Sequence, residues 1–281
     1  MIIWLNGRFL PEEEAVVSVL DRGFLFGDGL FETLRVHRGI PFCWTAHLER
    51  LQQGANFLGI KLLFTPQDLL AAARGLVEMN QVPEAILRLT VSRGVGPRGY
   101  SPRGADRPVL VMTLAPAPVQ TADTPTRWRL RTTSLRLPPN QPLARFKTCN
   151  KLSQILARAE ADAHGDDEAL LLSADGSLAE GSSSNLFWVQ ENVVFTPPPS
   201  SGILPGVTRE ILLQICEKIG VPVRQTTLAP EALLRMDGVF LSLSTLGVVE
   251  ATSLDNRPLQ QSPLITKLHR AYQERLARES P

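Results

Sequence analysis

A single lysine, Lys147, stands near the middle of the chain in the stretch LARFKTCNKL (143–152). It lies between the apolar Phe146 and a Thr-Cys-Asn turn, just before a helical pattern begins. Apolar neighbours desolvate an ammonium group and lower its pKa, which is the condition under which a lysine acts as a nucleophile or moves protons. Taken alone, the pattern fits a solvated lysine before a helix better than a catalytic lysine. A catalytic role therefore depends on other residues of complementary chemistry elsewhere in the chain.

A carboxylate precedes a run of small hydroxyl residues in LAEGSSSNLF (178–187). Glu180 follows a predicted hairpin strand, and the serines after it suit a backbone that packs closely against a ligand. Asn185 is available to anchor this loop. A polar turn between two strands explains the same composition equally well.

A third stretch, GILPGVTRE (202–210), opens a predicted helix. Glycine lets a backbone approach a ligand, and the amides at a helix N-terminus favour an anion such as phosphate. No GK[ST] follows, so the stretch is not a P-loop. A plain Pro-Gly turn before Thr208 is the alternative.

The fourth stretch, SRGVGPRGYS (92–101), carries Arg93, Arg98 and Tyr100 after a predicted strand. Guanidinium groups bind carboxylates bidentately, so this loop could hold an acidic substrate. Solvated loop arginines are the ordinary alternative. The four histidines are scattered along the chain, and we predict no metal site.

The composition of the chain excludes several classes of function. Its 281 residues carry a formal net charge of +1, which gives no electrostatic footprint for nucleic acid or an anionic membrane. Three widely spaced cysteines form no CxxC pair and fit a reducing cytosol. The N-terminus does not resemble a signal peptide, and no apolar run reaches the roughly 18 residues of a spanning helix. We therefore expect a cytoplasmic globular protein whose partner is a small molecule.

Hydrophobic periodicity predicts helices and strands in mixed order. The predicted helices are about 45–58, 67–80, 151–163, 208–219 and 263–277, and the predicted strands are 2–5, 33–36, 86–92, 109–114, 128–133, 168–172, 186–189 and 239–243. Because the two types do not alternate strictly, the predicted class is α+β with two lobes. A proline-rich stretch predicts a linker, which gives a smaller lobe at 1–115, a linker at 116–126 and a larger lobe at 127–281.

Together these stretches resemble the class IV aminotransferase family, also called fold-type IV pyridoxal-phosphate (PLP) enzymes. The resemblance covers nearly the whole chain. It rests on five motifs in the family's order: DRGFLFGDGLFETLR (21–35), HLERL (47–51), FKTCN (146–150), AEG through NLF (179–187) and LPGVTR (204–209). The family fold that it implies has a smaller N-terminal α/β lobe and a larger, β-barrel-like C-terminal lobe with helices.

The resemblance implies PLP as the cofactor and gives roles to particular residues. Lys147 matches the lysine that holds PLP as a Schiff base and moves the substrate proton. Glu180 matches the carboxylate that faces the pyridine nitrogen and keeps it protonated. The residues that match the cofactor's phosphate site and its supporting loop are Arg50, Val207, Thr208, Ser244 or Thr245, and Asn185.

Within the family, GVGPRGYS (94–101) and KTCNKL (147–152) resemble 4-amino-4-deoxychorismate lyases, which make 4-aminobenzoate and pyruvate for folate synthesis. The resemblance implies that Arg98 and Tyr100 hold a substrate carboxylate, with Arg93 and Phe31 also at the substrate. The first alternative is an aminotransferase of D-amino acids or branched-chain amino acids. The second is a PLP-free binding protein of the same fold.

Two further expectations concern assembly and unassigned residues. Members of the family are typically homodimers with the active site near the subunit interface, so we expect a homodimer. Arg145 and Lys151 depart from the lyase pattern around Lys147. Either residue could change how a substrate carboxylate is recognised, and Lys151 is an alternative to Arg93 as a helper of Arg98 and Tyr100.

Overall fold

The computed structural model describes residues 1–138 and 141–280, which form two compact units. Unit 1 comprises Met1–Pro118, Phe146–Asn150 and the residues from Leu276 onward. Unit 2 comprises Val119–Arg145 and Lys151–Arg275. The predicted lobes were continuous stretches, whereas each unit is assembled from more than one stretch of chain.

Unit 1 is built on one six-stranded antiparallel sheet in the order β2-β1-β6-β5-β3-β4. Its elements are β1 (Ile2–Leu5), β2 (Arg8–Pro11), α1 (Arg22–Phe26), β3 (Gly29–His37), β4 (Ile40–Pro41), α2 (Trp44–Leu58), α3 (Pro66–Asn80), β5 (Ala85–Ser92) and β6 (Val109–Pro116). The apolar stripes of α2 and α3 pack with the inward residues of β3, β5 and β6 in one core. Helix α3 begins at a capping box in which Thr65 and Asp68 satisfy each other's backbone amides.

Unit 2 contains a nine-stranded mixed sheet with helices. Its elements, with the C-terminal helix included, are β7 (Thr126–Leu137), α4 (Leu152–Ala163), β8 (Glu168–Ser173), β9 (Leu178–Gly181), β10 (Asn185–Gln190), β11 (Val193–Thr196), α5 (Val207–Lys218), β12 (Val223–Gln225), β13 (Gly238–Leu243), β14 (Gly247–Leu254), β15 (Arg257–Pro258) and α6 (Pro263–Glu279).

Six of these strands close into a barrel. The order β10-β13-β14-β7-β8-β9 returns to β10, because β9 pairs with both β8 and β10. All six residues of β8 are buried, as expected for a strand covered on both faces. The pair that closes the ring is Glu180 with Asn185. Barrel closure therefore fixes two residues that the sequence assigns to cofactor binding.

The predicted helices are confirmed, each within two residues of its observed ends. The predicted strand 33–36 lies in the second half of β3, which begins earlier, at Gly29. Sequence periodicity missed the short α1 and the buried strand β14. Glu180 lies inside β9 rather than after a strand. Among residues 1–138 and 141–280, no helix is both long and apolar enough to cross a membrane.

Candidate active site

Lys147 is held by backbone pairing to the start of β3 in unit 1. The amide of Phe31 donates to the carbonyl of Lys147 at 2.9 Å, and the amide of Cys149 donates to the carbonyl of Gly29 at 2.9 Å. The ammonium nitrogen of Lys147 lies 4.7 Å from the centroid of the Phe31 ring. Lys147 and Phe31, two predicted site residues, are thus in contact.

A second cation contacts the same ring. The guanidinium carbon of Arg88 lies 3.9 Å from the Phe31 centroid, within the range of cation–π attraction. Arg88 occupies an exposed position of β5, and its Nε donates to Thr90 Oγ1 at 3.2 Å. The sequence analysis missed this residue, although a lone charge inside the apolar strand Ala85–Ser92 was a usable signal.

Arg50, the predicted phosphate ligand of α2, is oriented by a buried carboxylate. Its Nε donates to Glu32 Oε1 at 2.8 Å and its Nη2 donates to Glu32 Oε2 at 2.6 Å. His47, one helical turn earlier, contacts Glu32 Oε2 through Nδ1 at 2.7 Å. Glu32 is only 1% exposed, so a bidentate pair inside the unit sets the direction of the Arg50 side chain.

The charges of this cluster follow from its burial. Burial raises the pKa of Glu32, but the hydrogen bonds from His47 and Arg50 and the charge of Arg50 outweigh this effect and lower the pKa to about 2. Burial lowers the pKa of His47 below its ordinary value, against the opposing pull of Glu32. At neutral pH, His47 is therefore a neutral imidazole that donates Nδ1–H to the Glu32 carboxylate.

The three residues of the predicted substrate clamp occupy different environments. Arg93 is 8% exposed, and its guanidinium donates to both carboxylate oxygens of Asp28, at 2.7 and 3.1 Å, and to the carbonyl of Leu58 at 2.8 Å. Arg98 and Tyr100 lie on an exposed loop, and the Tyr100 side chain is 85% exposed. Arg93 is thus held by Asp28, whereas Arg98 and Tyr100 are exposed. Contact of all three with a substrate stays a prediction.

In unit 2, Glu180 is anchored at the barrel closure. Its Oε2 accepts a hydrogen bond from the amide of Leu204 at 2.9 Å and from Asn185 Nδ2 at 3.3 Å. Asn185 Nδ2 also donates to the carbonyl of Leu204 at 2.8 Å. Asn185 therefore ties Glu180 to the segment that leads into α5.

The N-terminus of α5 lies against the same asparagine. Gly206 precedes the helix without a capping side chain, and a Cβ there would lie 2.0 Å from Asn185 Oδ1, so only glycine fits. Val207 and Thr208 begin the helix, and Thr208 Oγ1 lies 3.4 Å from Ser244 Oγ. Thr245 is the next residue of the same turn. This helix end combines backbone amides with two hydroxyl groups, a suitable set of donors for an anion.

The serines between Glu180 and Asn185 have a role that the sequence did not indicate. Glu168, fully buried on β8, accepts hydrogen bonds from the hydroxyls of Ser182, Ser183 and Ser184 and from the amides of Ser182 and Ser183. The hydroxyl run thus satisfies a buried carboxylate and fixes the turn from β9 to β10.

Comparison with known proteins identifies the family. Residues 29–254 match the family model described as amino-transferase class IV. The aminodeoxychorismate lyase of Bacillus subtilis is 30% identical over 90% of this chain and 87% of its own length. The D-alanine aminotransferase of Bacillus licheniformis is 31% identical over 100% of this chain and 99% of its own.

A solved structure gives the same result for the fold. The branched-chain amino acid aminotransferase of Escherichia coli superposes with a TM-score of 0.91 at 27% identity, over 97% of this chain and 93% of that one. The match covers the mixed α+β content, the two lobes and the barrel-like sheet. The chain belongs to the class IV aminotransferase family and has the two-lobed α+β fold of the fold-type IV enzymes.

Proposed function

We propose that this protein is a PLP-dependent enzyme in which Lys147 is the catalytic amine. The observation that carries the proposal is the pairing made by Asn185. This one side chain contacts the carboxylate of Glu180 and packs against Gly206 at the uncapped end of α5. A carboxylate and an anion-binding helix end held at a fixed separation suit a ligand that has a protonated ring nitrogen and a phosphate.

The donor set fits PLP chemically. In unit 2, Glu180 would face the ring nitrogen, and the amides of Val207 and Thr208 with the hydroxyl of Ser244 would bind the phosphate. In unit 1, Arg50 would supply a cation for the phosphate. Its direction is set by Glu32.

PLP, when bound, supplies an aldehyde for the substrate amine and a ring that accepts an electron pair. Residues of the chain supply the proton transfer and the charge balance. Lys147 removes the proton from the substrate carbon that bears the amine, and Glu180 balances the positive charge of the ring nitrogen. The ring of Phe31 packs beside the Lys147 ammonium group and limits its hydration.

The specific reaction that we propose is the conversion of 4-amino-4-deoxychorismate to 4-aminobenzoate and pyruvate. After Lys147 removes the proton, the bond from the neighbouring carbon to the ether oxygen breaks, and pyruvate leaves as its enol. The substrate carries two carboxylates, and two arginines are suitably exposed to bind them, Arg88 beside Phe31 and Arg98 on the loop. The lyase of B. subtilis among the relatives supports this choice.

An aminotransferase of D-amino acids or branched-chain amino acids is the second candidate, and the relatives from B. licheniformis and E. coli favour it. In that case the amine would be passed to a 2-oxo acid. Both activities use the same residues up to proton removal and differ only in the step that follows it.

One assay separates the two reactions. The purified enzyme is supplied with 4-amino-4-deoxychorismate and PLP but with no 2-oxo acid. We expect 4-aminobenzoate and pyruvate in equal amounts over many turnovers, because elimination needs no second substrate. Turnover that stops without a 2-oxo acid and starts when 2-oxoglutarate or pyruvate is added would assign the protein as an aminotransferase.

We also propose that the protein is a homodimer. Six apolar side chains between residues 16 and 25 are exposed: Val16, Val17, Val19, Leu20, Phe24 and Leu25. A contiguous exposed apolar segment of this kind is typical of a subunit interface. In analytical ultracentrifugation we expect wild type to sediment as a dimer and Phe24→Asp as a monomer. A monomeric wild type would contradict the proposal.

A further inference from the structure

Arg22, on α1, is a buried arginine whose donors reach three successive backbone carbonyls of one loop. Its side chain donates through Nη1 to the carbonyl of Gly99 at 2.9 Å and of Ser101 at 3.2 Å, and through Nη2 to that of Tyr100 at 2.9 Å. Arg22 is only 4% exposed. These contacts lie within unit 1.

The same arginine also fixes the side chain of Tyr100 indirectly. The guanidinium of Arg22 lies 5.0 Å from the centroid of the Phe26 ring, and Phe26 meets the Tyr100 ring edge to face at 5.4 Å. Both the backbone and the ring of Tyr100 therefore depend on the position of Arg22. Arg98, Gly99 and Tyr100 themselves are all exposed.

The guanidinium of Arg22 is anchored at its other side by a carboxylate. Its Nε donates to Asp28 Oδ2 at 2.8 Å, and Asp28 also accepts hydrogen bonds from Arg93. Burial raises the pKa of Asp28, but the hydrogen bonds of Arg93 and Arg22 and their charges outweigh it and lower the pKa. An ionised Asp28 thus holds both guanidinium groups. A planar guanidinium with five fixed donors can serve this carboxylate and three carbonyls at once, which a lysine cannot do.

We propose that Arg22 is a positioning residue for substrate binding. It fixes the loop that presents Arg98 and Tyr100 and so sets their position for a substrate carboxylate, without touching the substrate itself. The effect on substrate binding rests on the proposed function. The effect of Arg22 on the loop can be tested independently of that function.

The first test is limited trypsin digestion of the full-length protein, with and without PLP. Arg98 and Arg103 are trypsin sites in this loop. In Arg22→Lys we expect cleavage after these two residues to rise about tenfold or more, because two or three hydrogen bonds to the loop are lost. Mass spectrometry of the early fragments identifies the sites.

Arg93→Lys is the matched control. Arg93 is equally buried and binds the same Asp28, but its other contacts are the carbonyls of Leu58 and Gly59, away from the loop. Its cleavage after Arg98 and Arg103 should match wild type. An unchanged rate in Arg22→Lys, or an equal rise in both variants, would overturn the proposal.

A second variant covers the case in which Arg22→Lys does not fold. Phe26→Leu changes a half-buried ring that lies between Arg22 and Tyr100. We expect a smaller but measurable rise in cleavage after the same two arginines. Cleavage at the wild-type rate in this variant would also count against the proposal.

Kinetics then test the functional part. In Arg22→Lys the Michaelis constant for the substrate identified by the assay should rise about tenfold while kcat stays within about twofold, as for a loss of uniform binding. If cleavage of the loop rises but the Michaelis constant does not change, Arg22 holds the loop in place, but the proposal that this loop binds the substrate is wrong. Lost PLP absorbance in Arg22→Lys would instead place Arg22 in the cofactor site and contradict the positioning role.

Discussion

We expect the turnover of Lys147→Ala to fall by about 10⁴-fold or more. Loss of a positioned proton carrier alone costs up to about 10⁴-fold, and this variant also loses the catalytic amine. The variant should also fail to develop the visible absorption that wild type gains when PLP is added and that borohydride removes. The reason is that Lys147 is the amine that β3 holds beside Phe31. Turnover and absorption spectra measured on the same preparations check both expectations.

Lys61→Ala is the matched control, because Lys61 is an exposed lysine of the same unit outside the site. It should keep wild-type turnover and absorption. Added methylamine should restore part of the Lys147→Ala activity, since a small amine can replace the missing proton carrier. Wild-type turnover in Lys147→Ala would place the chemistry on another residue. A wild-type protein that gains no absorption with PLP would support the PLP-free alternative.

Glu32→Gln should lower the free energy of unfolding by about 3–5 kcal/mol at pH 7, the usual cost of breaking a buried ion pair. The amide keeps the shape of Glu32 but removes the carboxylate charge that faces the half-buried guanidinium of Arg50, and it can accept through one oxygen only. Urea denaturation of both proteins measures the difference. Arg50 also loses its fixed direction, so the affinity for PLP should fall in parallel.

The difference in the free energy of unfolding between wild type and Glu32→Gln should decrease as the pH is lowered. The pKa of Glu32 falls from 4.5 to about 2 on folding, so its ionised form stabilises the folded state above pH 4.5, and this stabilisation is lost as the pH falls towards 2. A shift of this size corresponds to about 3 kcal/mol. The difference between wild type and Glu32→Gln should therefore shrink to about half or less by about pH 3.

Glu84→Gln is a matched control for the effect of burial. Glu84 pairs with Arg35 and His37, the same residue types that surround Glu32, but its side chain is 43% exposed. Exposed pairs contribute about 0–1 kcal/mol, so this variant should be nearly as stable as wild type. Equal losses in the two variants would show that the burial of the Glu32 cluster has no special effect.

The sequence predicts the helices and strands of this fold better than it predicts the closure of the six-stranded barrel. The helices α2 and α3 show their apolar faces directly, and α3 also shows its capping box. The barrel closure does not appear in any periodic pattern, since β9 pairs with β10 through a single residue pair and β14 pairs on one side with β7, which is more than 100 residues earlier in the sequence. Such pairings depend on tertiary packing, which a single sequence does not encode locally.

For the candidate site, the sequence gives Lys147 and Glu180 their roles only through the resemblance of the motifs around them, and these roles stay predictions. The sequence does not indicate which charged residues are buried. Arg22, Glu32 and Glu168 look like ordinary surface charges in the sequence, yet all three are buried and organise their neighbours. Only the packing around them shows which partner each one has. The grouping of Arg93 with Arg98 rested on sequence proximity, and their different burial follows from Asp28.

The discontinuous make-up of unit 1 has a consequence for biosynthesis. Its first stretch ends at Pro118, but the segment that carries Lys147 and the residues from Leu276 onward are translated later. Cys43, near the start of α2, donates to Glu279, two residues from the C-terminal end. A nascent chain that has just finished β6 therefore lacks parts of unit 1, and that unit becomes complete only after the residues from Leu276 onward have been translated. Long-range closure of this kind slows folding. A fragment that ends at residue 118 would lack the segment that carries Lys147 and the residues from Leu276 onward.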